Sequence, residues 1–343
     1  MKDKLLTPEE LSPATEICRK IVNELNKILL GKDELHRKVL AALISRGHIL
    51  FEGLPGVGKT ALVKAVGEIL SLDFRRIQFT PDLMPSDILG TNILQEREDG
   101  EREMVFREGP VFTNILLADE INRASPKTQS ALLEAMQEST VTLLNVTRRL
   151  PSPFFVLASQ NPIEMEGTYP IPEAQLDRFL FKLNVRSVSA DTLNAIITTR
   201  RRGIPPEPEW RAERKDVELL FEMMERIVLS EAVASYISRL VAATHPESGA
   251  EEVEGVSEYI SYGASPRAAI ALAEASRAVA LINGRPSVGF EDVKSIIYDV
   301  LNHRLILNYK AKIDRVTAED VIGALVDRVE EVDLNFSGDI SVA

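Results

Sequence analysis

The stretch Gly53 to Thr60, GLPGVGKT, constrains what this chain can fold into more than any other part of it. It matches G-x-x-x-x-G-K-[ST] and lies between an apolar, β-rich run, HILFE, and a helix-forming run, ALVKAVGEIL. Glycines let the backbone curl so that successive N–H groups face a phosphate, and the helix that follows adds the positive end of its dipole. Gly53, Leu54, Pro55, Gly56, Val57, Gly58 and Ala61 are then expected to wrap a nucleotide's phosphates. Lys59 is expected to neutralise the β- and γ-phosphates, and the Thr60 hydroxyl to hold Mg²⁺.

A second stretch, TNILLADEINRASPKTQ (113–129), supplies what such a loop requires nearby. Its apolar run, Ile115 to Ala118, stops at two adjacent carboxylates, Asp119 and Glu120. A phosphate-binding loop needs an acid at the end of a neighbouring strand to anchor Mg²⁺, and Asp119 follows such a run. Glu120 beside it is placed to orient or deprotonate an attacking water.

Around these motifs β-rich runs alternate with helical ones. HILFEG (48–53), RRIQF (75–79), NILLAD (114–119), PFFVLAS (153–159) and FLFKLNV (179–185) are candidate strands, apolar enough for a buried parallel sheet. TALVKAVGEIL (60–70) and PKTQSALLEAMQE (126–138) are candidate helices, so the fold class is α/β. Two segments look like hairpins grafted onto that core: 91–109, with Asp99-Gly100 at its charged centre, and 139–155, around Asn145. Both are candidates for partner contact. The proline-rich GIPPEPE (203–209) marks a linker or strap, and amphipathic helices follow it. RVTAEDVIGALVDRVEEV (315–332) starts with Thr317 as N-cap and Asp320 three residues on, and the second domain is expected to be a helical bundle. The expected division is a core over 1–186, a linker over 187–215, a helical lid over 216–332 and a loose tail over 333–343.

Composition narrows the partners. At 343 residues the chain is long enough for two domains. A net charge of −12 and a pI near 5.1 argue against a polyanion as the main partner. The triplet Arg200-Arg201-Arg202 reads as a solvated helix end rather than a nucleic-acid patch. Cys18, the single cysteine, has no internal disulfide partner, and His36, His48, His245 and His303 are too scattered to suggest a metal cluster. No apolar run approaches the roughly 18 residues of a membrane span, so a cytoplasmic location is expected.

These motifs resemble those of the AAA+ ATPases and, within them, the MoxR family. GLPGVGKT is similar to the family's Walker A motif, and NILLADEINRASPKTQSALLEAMQE to its Walker B motif and following helix. QFTPDLMPSDILG (78–90), LASQNPIEMEGTYPIPEAQLDRF (157–179) and GASPRA (263–268) resemble further family signatures, with DEINRA and GTYPIPEAQLDRF the most specific. The resemblance implies a core sheet in the order 5-1-4-3-2 and a C-terminal helical lid, with ATP between them. It also implies that the two hairpins are inserts shared with magnesium-chelatase subunits, MCM helicases and dynein. By the same resemblance Asn161 corresponds to sensor 1, Arg178 to an arginine finger acting on a neighbouring subunit, and Arg267 to sensor 2, coupling the lid to the γ-phosphate. Gly31 and Lys32 fall where the family's chain passes the adenine, and Arg123 is a candidate for the subunit interface. Plainer readings stand beside these: a turn former for Asn161, surface pairing for Arg178, an ordinary helix start around Arg267.

The expected function is therefore Mg²⁺-dependent ATP hydrolysis by a ring, expected to be a hexamer, that remodels, assembles or activates protein partners. Such partners often carry a von Willebrand factor A-type domain. A DNA-directed motor, a magnesium-chelatase-like motor and a nucleotide-gated scaffold are the alternatives.

Overall fold

Strands β1 (Ile49–Glu52), β2 (Phe74–Gln78), β3 (Ile115–Asp119), β4 (Phe155–Gln160) and β5 (Phe181–Asn184) pair in parallel as one sheet in the order 5-1-4-3-2. The computed structural model describes residues 5–54, 56–96, 101–161, 167–245 and 256–332. Pro55, the Asp99-Gly100 turn and the tail over 333–343 lie outside the described residues.

Side chains along a strand point alternately to opposite faces of the sheet. Ile49, Phe51, Ile115, Leu117, Phe155, Leu157, Phe181 and Leu183 join one apolar cluster, whereas Leu50, Leu116, Ala118, Val156 and Ala158 join a second. Where both faces are buried, as along β1, β3 and β4, strand positions favour apolar residues and the strands read as unbroken runs, whereas β2 at the sheet edge exposes Arg75, Arg76 and Gln78. Helix Pro126–Glu138 covers the second face through Leu132, Leu133 and Met136. The first face is covered by helices Pro8–Ile28, Asp33–Ile44 and Lys59–Ile69. The N-terminal helix begins at a two-way cap, in which Thr7 Oγ1 accepts from the Glu10 N–H and the Glu10 carboxylate from the Thr7 N–H.

Five longer helices, Arg214–Arg226, Glu231–Ala242, Pro266–Ile282, Phe290–Leu301 and Ala318–Arg328, form the bundle expected of the C-terminal part. Thr317 caps the last of them with Asp320, as its spacing predicts. The bundle continues the first apolar cluster: Leu25 and Leu40 share it with Leu220, Leu272 and Leu301. The change from α/β to all-α is thus a change of architecture within one continuous core.

The stretch expected as a linker differs from that expectation. Ser189 caps a helix, Ala190–Thr199, with its hydroxyl accepting from the Thr192 N–H at 3.2 Å. None of its residues is buried, so its sequence lacks a strong apolar stripe. The strap that follows is fastened to the core, with the Glu209 N–H on Glu24 (2.8 Å), the Ala212 N–H on the Ile69 carbonyl (2.6 Å) and Lys27 paired to Glu209 (2.6 Å).

Both hairpins form. Gly90–Glu96 pairs antiparallel with Arg102–Glu108, and Thr140–Leu143 with Val146–Arg149. The second turns at Leu144 and Asn145, both left-handed with φ of 48° and 62°, the pattern of a tight hairpin turn. It is shorter than the expected 139–155 because Phe155 begins β4. The Arg148 guanidinium stacks 3.8 Å above the Phe106 ring and joins the two hairpins.

Burial also makes stability depend on pH. Burial holds His36 and His48 down to about 4, and His303 well below its usual value. Between their ordinary value and the folded one, the unfolded chain takes up protons that the folded chain refuses. Stability is therefore full above about pH 6.5 and falls as the pH drops toward 4, by up to about 1.4 kcal/mol per pH unit for each histidine. Asp299, pushed up to about 6 by burial against the pull of Lys38, and Asp292, also raised by burial, act in the opposite sense but are two groups against three. Urea unfolding at about pH 7 and about pH 5 is expected to show lower stability at the acid value, and higher stability there would contradict it.

Candidate active site

At the carboxyl end of β1 the chain leaves the sheet at Gly53 and enters helix Lys59–Ile69, at the edge where parallel α/β sheets bind ligands. Gly56 and Gly58 have φ of +81° and +92°, left-handed values that cost other residues energy. Gly53 is required by space, since a Cβ there would lie 2.5 Å from the Val185 carbonyl oxygen just past β5. Lys59 folds back so that Nζ donates to the Gly53 carbonyl at 2.7 Å. Burial lowers its pKa below the ordinary value, with the Asp119 and Glu120 charges opposing the shift.

Two strands away, Asp119 ends β3. Its Oδ1 accepts from Ser159 Oγ at 2.5 Å, and its Oδ2 from the Arg76 guanidinium at 2.7 Å. Glu120 adopts φ 57°, ψ 49°, a left-handed turn that takes its carboxylate out of the strand line. That carboxylate accepts from Gln78 Nε2 (2.7 Å) and Arg123 Nη1 (3.1 Å). Ser159, fully buried on the intervening β4, also accepts from the Glu120 N–H at 3.0 Å, so one hydroxyl holds both acids. The turn after Glu120 is fixed by Gln129, whose buried amide donates to the carbonyls of Ile121, Ala124 and Tyr169. The INRASPKTQ and GTYP stretches are thereby one packed unit.

Lys59, Thr60, Asp119, Glu120 and Asn161, expected together from sequence, line one cavity of about 400 Å³ with Gly56, Gly58 and Ala61. Arg76 and Gln78 line it too, and sequence reasoning missed both, along with Ser159. The signal for the first two was the strand RRIQF itself, whose polar residues at 76 and 78 lie on one face at the end nearest the phosphate loop.

A second, apolar cavity of about 510 Å³ shares Gly56, Gly58 and Ala61 with the first and is lined by Leu29, Leu30, Leu54, Val57, Val188, Leu193 and Ile196. Its shape and lining suit the flat face of a base. Much of one wall comes from helix Ala190–Thr199 and the residues before it, another contribution the sequence did not disclose. Lys32 borders this cavity, and its Nζ donates to the Val57 (2.9 Å) and Arg186 (3.2 Å) carbonyls, tying the phosphate loop to the chain leaving β5. Gly31, expected at the base, instead lines a neighbouring cavity with Lys38 and Asp299. Its φ is +73°, and a Cβ there would meet Thr192 Oγ1 at 2.7 Å. Arg200 is likewise not a solvated helix end: it donates to the Lys27 and Ile28 carbonyls at 2.7 Å each, while Arg201 and Arg202 are exposed.

Arg178 and Arg267 line neither cavity. Arg178 Nη1 donates to the Leu133 carbonyl at 2.6 Å, and its buried Nε has no partner among the described residues. Arg267, expected beside the γ-phosphate, faces Asp177 Oδ2 at 3.9 Å and is 53% exposed. The helix it begins, Pro266–Ile282, packs on Pro8–Ile28 and Asp33–Ile44, which draws this arginine to the side of the molecule where Arg178 lies.

The Ser159 tie is open to test. Replacing it by Ala leaves the Glu120 N–H without its acceptor, at a cost of about 1–3 kcal/mol in unfolding free energy. ATP turnover is expected to fall by about tenfold or more while nucleotide affinity changes little, because the acids lose their placement and the phosphate loop does not. Unchanged turnover in Ser159→Ala would remove this hydroxyl from the site.

The family model described as the ATPase family associated with various cellular activities (AAA) matches residues 48–181, and the AAA lid domain matches residues 254–325. Chaperone MoxR1 of Mycobacterium tuberculosis is 43% identical over 325 residues, which cover 94% of this chain and 84% of that protein. An uncharacterised Bacillus subtilis protein, YeaC, is 40% identical over 94% of this chain and 96% of its own length. A Cytophaga hutchinsonii crystal structure assigned as an ATPase superposes with a TM-score of 0.84 at 38% identity, covering 94% of this chain and 97% of that one. With the five-stranded sheet, the phosphate loop, the paired acids and the helical lid in place, the chain belongs to the MoxR family of AAA+ ATPases.

Proposed function

We propose that this ATPase works as a Mg²⁺-dependent ring, a hexamer, in which each subunit's nucleotide site is completed by arginines of its neighbour, and that it remodels or activates protein partners. The observation that carries this reading is the separation of Arg178 and Arg267 from the cavity that collects Lys59, Thr60, Asp119, Glu120 and Asn161. Arginines that stabilise phosphoryl transfer but lie outside their own site must act on another subunit's.

The donors present fit Mg²⁺: the Thr60 hydroxyl and the Asp119 carboxylate are hard oxygen ligands on one cavity wall. When bound, the ion supplies charge neutralisation at the phosphate oxygens. Lys59 exchanges the Gly53 carbonyl for phosphate oxygens, and the left-handed glycines turn backbone N–H groups toward them. Arg76 pairs with Asp119, the carboxylate that would help to hold the ion. Glu120 takes a proton from the attacking water once its carboxylate leaves Gln78 and Arg123, and the Asn161 amide orients that water.

For the partner, the hairpins offer exposed apolar side chains on a charged surround: Leu144, at the turn of the second, is 77% exposed, and Leu94 and Met104, paired across the strands of the first, are each 59% exposed. A protein client, of the von Willebrand factor A-domain class that the family resemblance suggests, fits such a surface better than the acidic chain fits a nucleic acid. Among the described residues no helix is long and apolar enough to cross a membrane, and a cytoplasmic site of action belongs to the same reading.

Subunit mixing tests the ring. Lys59→Ala subunits and Arg178→Ala subunits are each expected to turn over at least about tenfold slower than the parent, and activity is expected to return when the two are combined. Full activity of Arg178→Ala alone would sink the trans arrangement. Glu120→Gln is expected to keep ATP bound yet hydrolyse it at least about a hundredfold more slowly, and ordinary turnover would deny Glu120 its role.

A further inference from the structure

Helix Phe290–Leu301 is followed by Asn302, His303 and Arg304, three consecutive polar residues set against the core. Each grips the backbone of the segment that runs from Asp177 through Arg178 into β5. Asn302 Nδ2 donates to the Lys182 carbonyl (3.0 Å) and His303 Nε2 to the Phe179 carbonyl (3.0 Å). Burial keeps His303 neutral, which leaves one ring nitrogen free to donate.

Arg304 makes the densest set of these contacts. Its side chain is 3% exposed, and every guanidinium N–H has an acceptor. Nη2 donates to the Asp177 (3.2 Å) and Phe179 (2.7 Å) carbonyls, and Nη1 to the Leu180 (3.2 Å) and Val300 (2.5 Å) carbonyls. Nε donates to Asp177 Oδ1 at 2.8 Å. The other oxygen of that carboxylate, Oδ2, accepts from Ser265 Oγ at 2.9 Å and faces Arg267. Ser265 is the N-cap of the helix in which Arg267 stands, its hydroxyl accepting from the Arg267 N–H at 3.2 Å. Arg178 is the residue next to Asp177 in the chain.

We propose that Arg304, acting through Asp177, is a positioning residue that holds Arg178 and Arg267 as one rigid pair and couples their placement to the lid. A buried guanidinium with four of its donors committed to one loop and the fifth to Val300 of the preceding helix leaves that loop no alternative arrangement at comparable energy. Movement of the lid helix is then passed to Arg178 without slack, because the backbone on both sides of it is held. Lid orientation in one subunit thereby sets where both arginines meet the nucleotide of the next. This rests on the trans reading given above.

Arg304→Lys keeps the charge but has three donors in place of the planar fork. The variant is expected to bind nucleotide within about threefold of the parent, since its own cavity is untouched, and to turn over at least about tenfold more slowly. Mixed with Lys59→Ala subunits, whose arginines are intact, it is expected to regain activity; mixed with Arg178→Ala subunits it is not. A purely structural role would give no such partner-dependent rescue. Parental turnover in Arg304→Lys, or rescue by Arg178→Ala subunits, overturns the proposal. The Lys59→Ala with Arg178→Ala mixture is the control: if it recovers and the Arg304→Lys mixture does not, positioning is refuted and trans action stands. If the control itself fails, trans action falls and this inference with it. Should Arg304→Lys not fold, Asp177→Asn, which preserves shape and leaves Arg304 its carbonyl partners, is read by the same outcomes.

Discussion

A parallel sheet is stable only when both of its faces are covered, and the rest of this molecule follows from how that is done. One face is closed by the helix after the paired acids. The other is closed by three helices that are themselves roofed by the C-terminal bundle, in a single apolar cluster. The lid is therefore anchored behind the sheet and against β5, through Asn302, His303 and Arg304. That placement leaves the phosphate loop open on its other side and carries Arg267 to Asp177, away from its own chain's cavity. In the proposed ring, the role of a neighbouring subunit originates in how the core is packed.

The cavity is held together by charges that answer one another at short range. Asp119 meets Arg76, Glu120 meets Arg123 and Gln78, and Lys59 is partly desolvated while facing both acids. Ser159 fixes the geometry, because its hydroxyl is at once donor to one acid and acceptor for the backbone of the other. Such a network is polarised and costly to leave half-satisfied, which keeps the two carboxylates apart in direction although they are adjacent in sequence. The left-handed turn at Glu120 supplies the change of direction.

What could be read beforehand was whatever depends on neighbours in the chain. The phosphate loop, the acids ending an apolar strand, the five strands and the Thr317 cap are set by spacing, periodicity or local turn chemistry, whereas the sheet order came from the family resemblance alone. Ser159 was invisible, and Arg76 legible only as a polar position of RRIQF, because their importance depends on β2 and β4 flanking β3, a fact of strand order rather than of spacing. Helix Ala190–Thr199 escaped notice because it buries nothing of its own and has work only as the wall of a cavity. Gly31 lies in a cavity beside the apolar one, and nothing in ILLGKDEL says that Lys32 turns toward the loop while Gly31 packs against Thr192.

By itself, then, the sequence determined an α/β chain with a phosphate-loop motif, GLPGVGKT, and a strand ending in Asp119-Glu120, because those stretches carry their geometry locally, in glycine conformations and a strand end. Only the tertiary structure decided which side chains finish the cavity and which are turned away from it. That choice is made by contacts between residues far apart in the chain, as when Arg304 grips the loop of Asp177, and no local pattern records them.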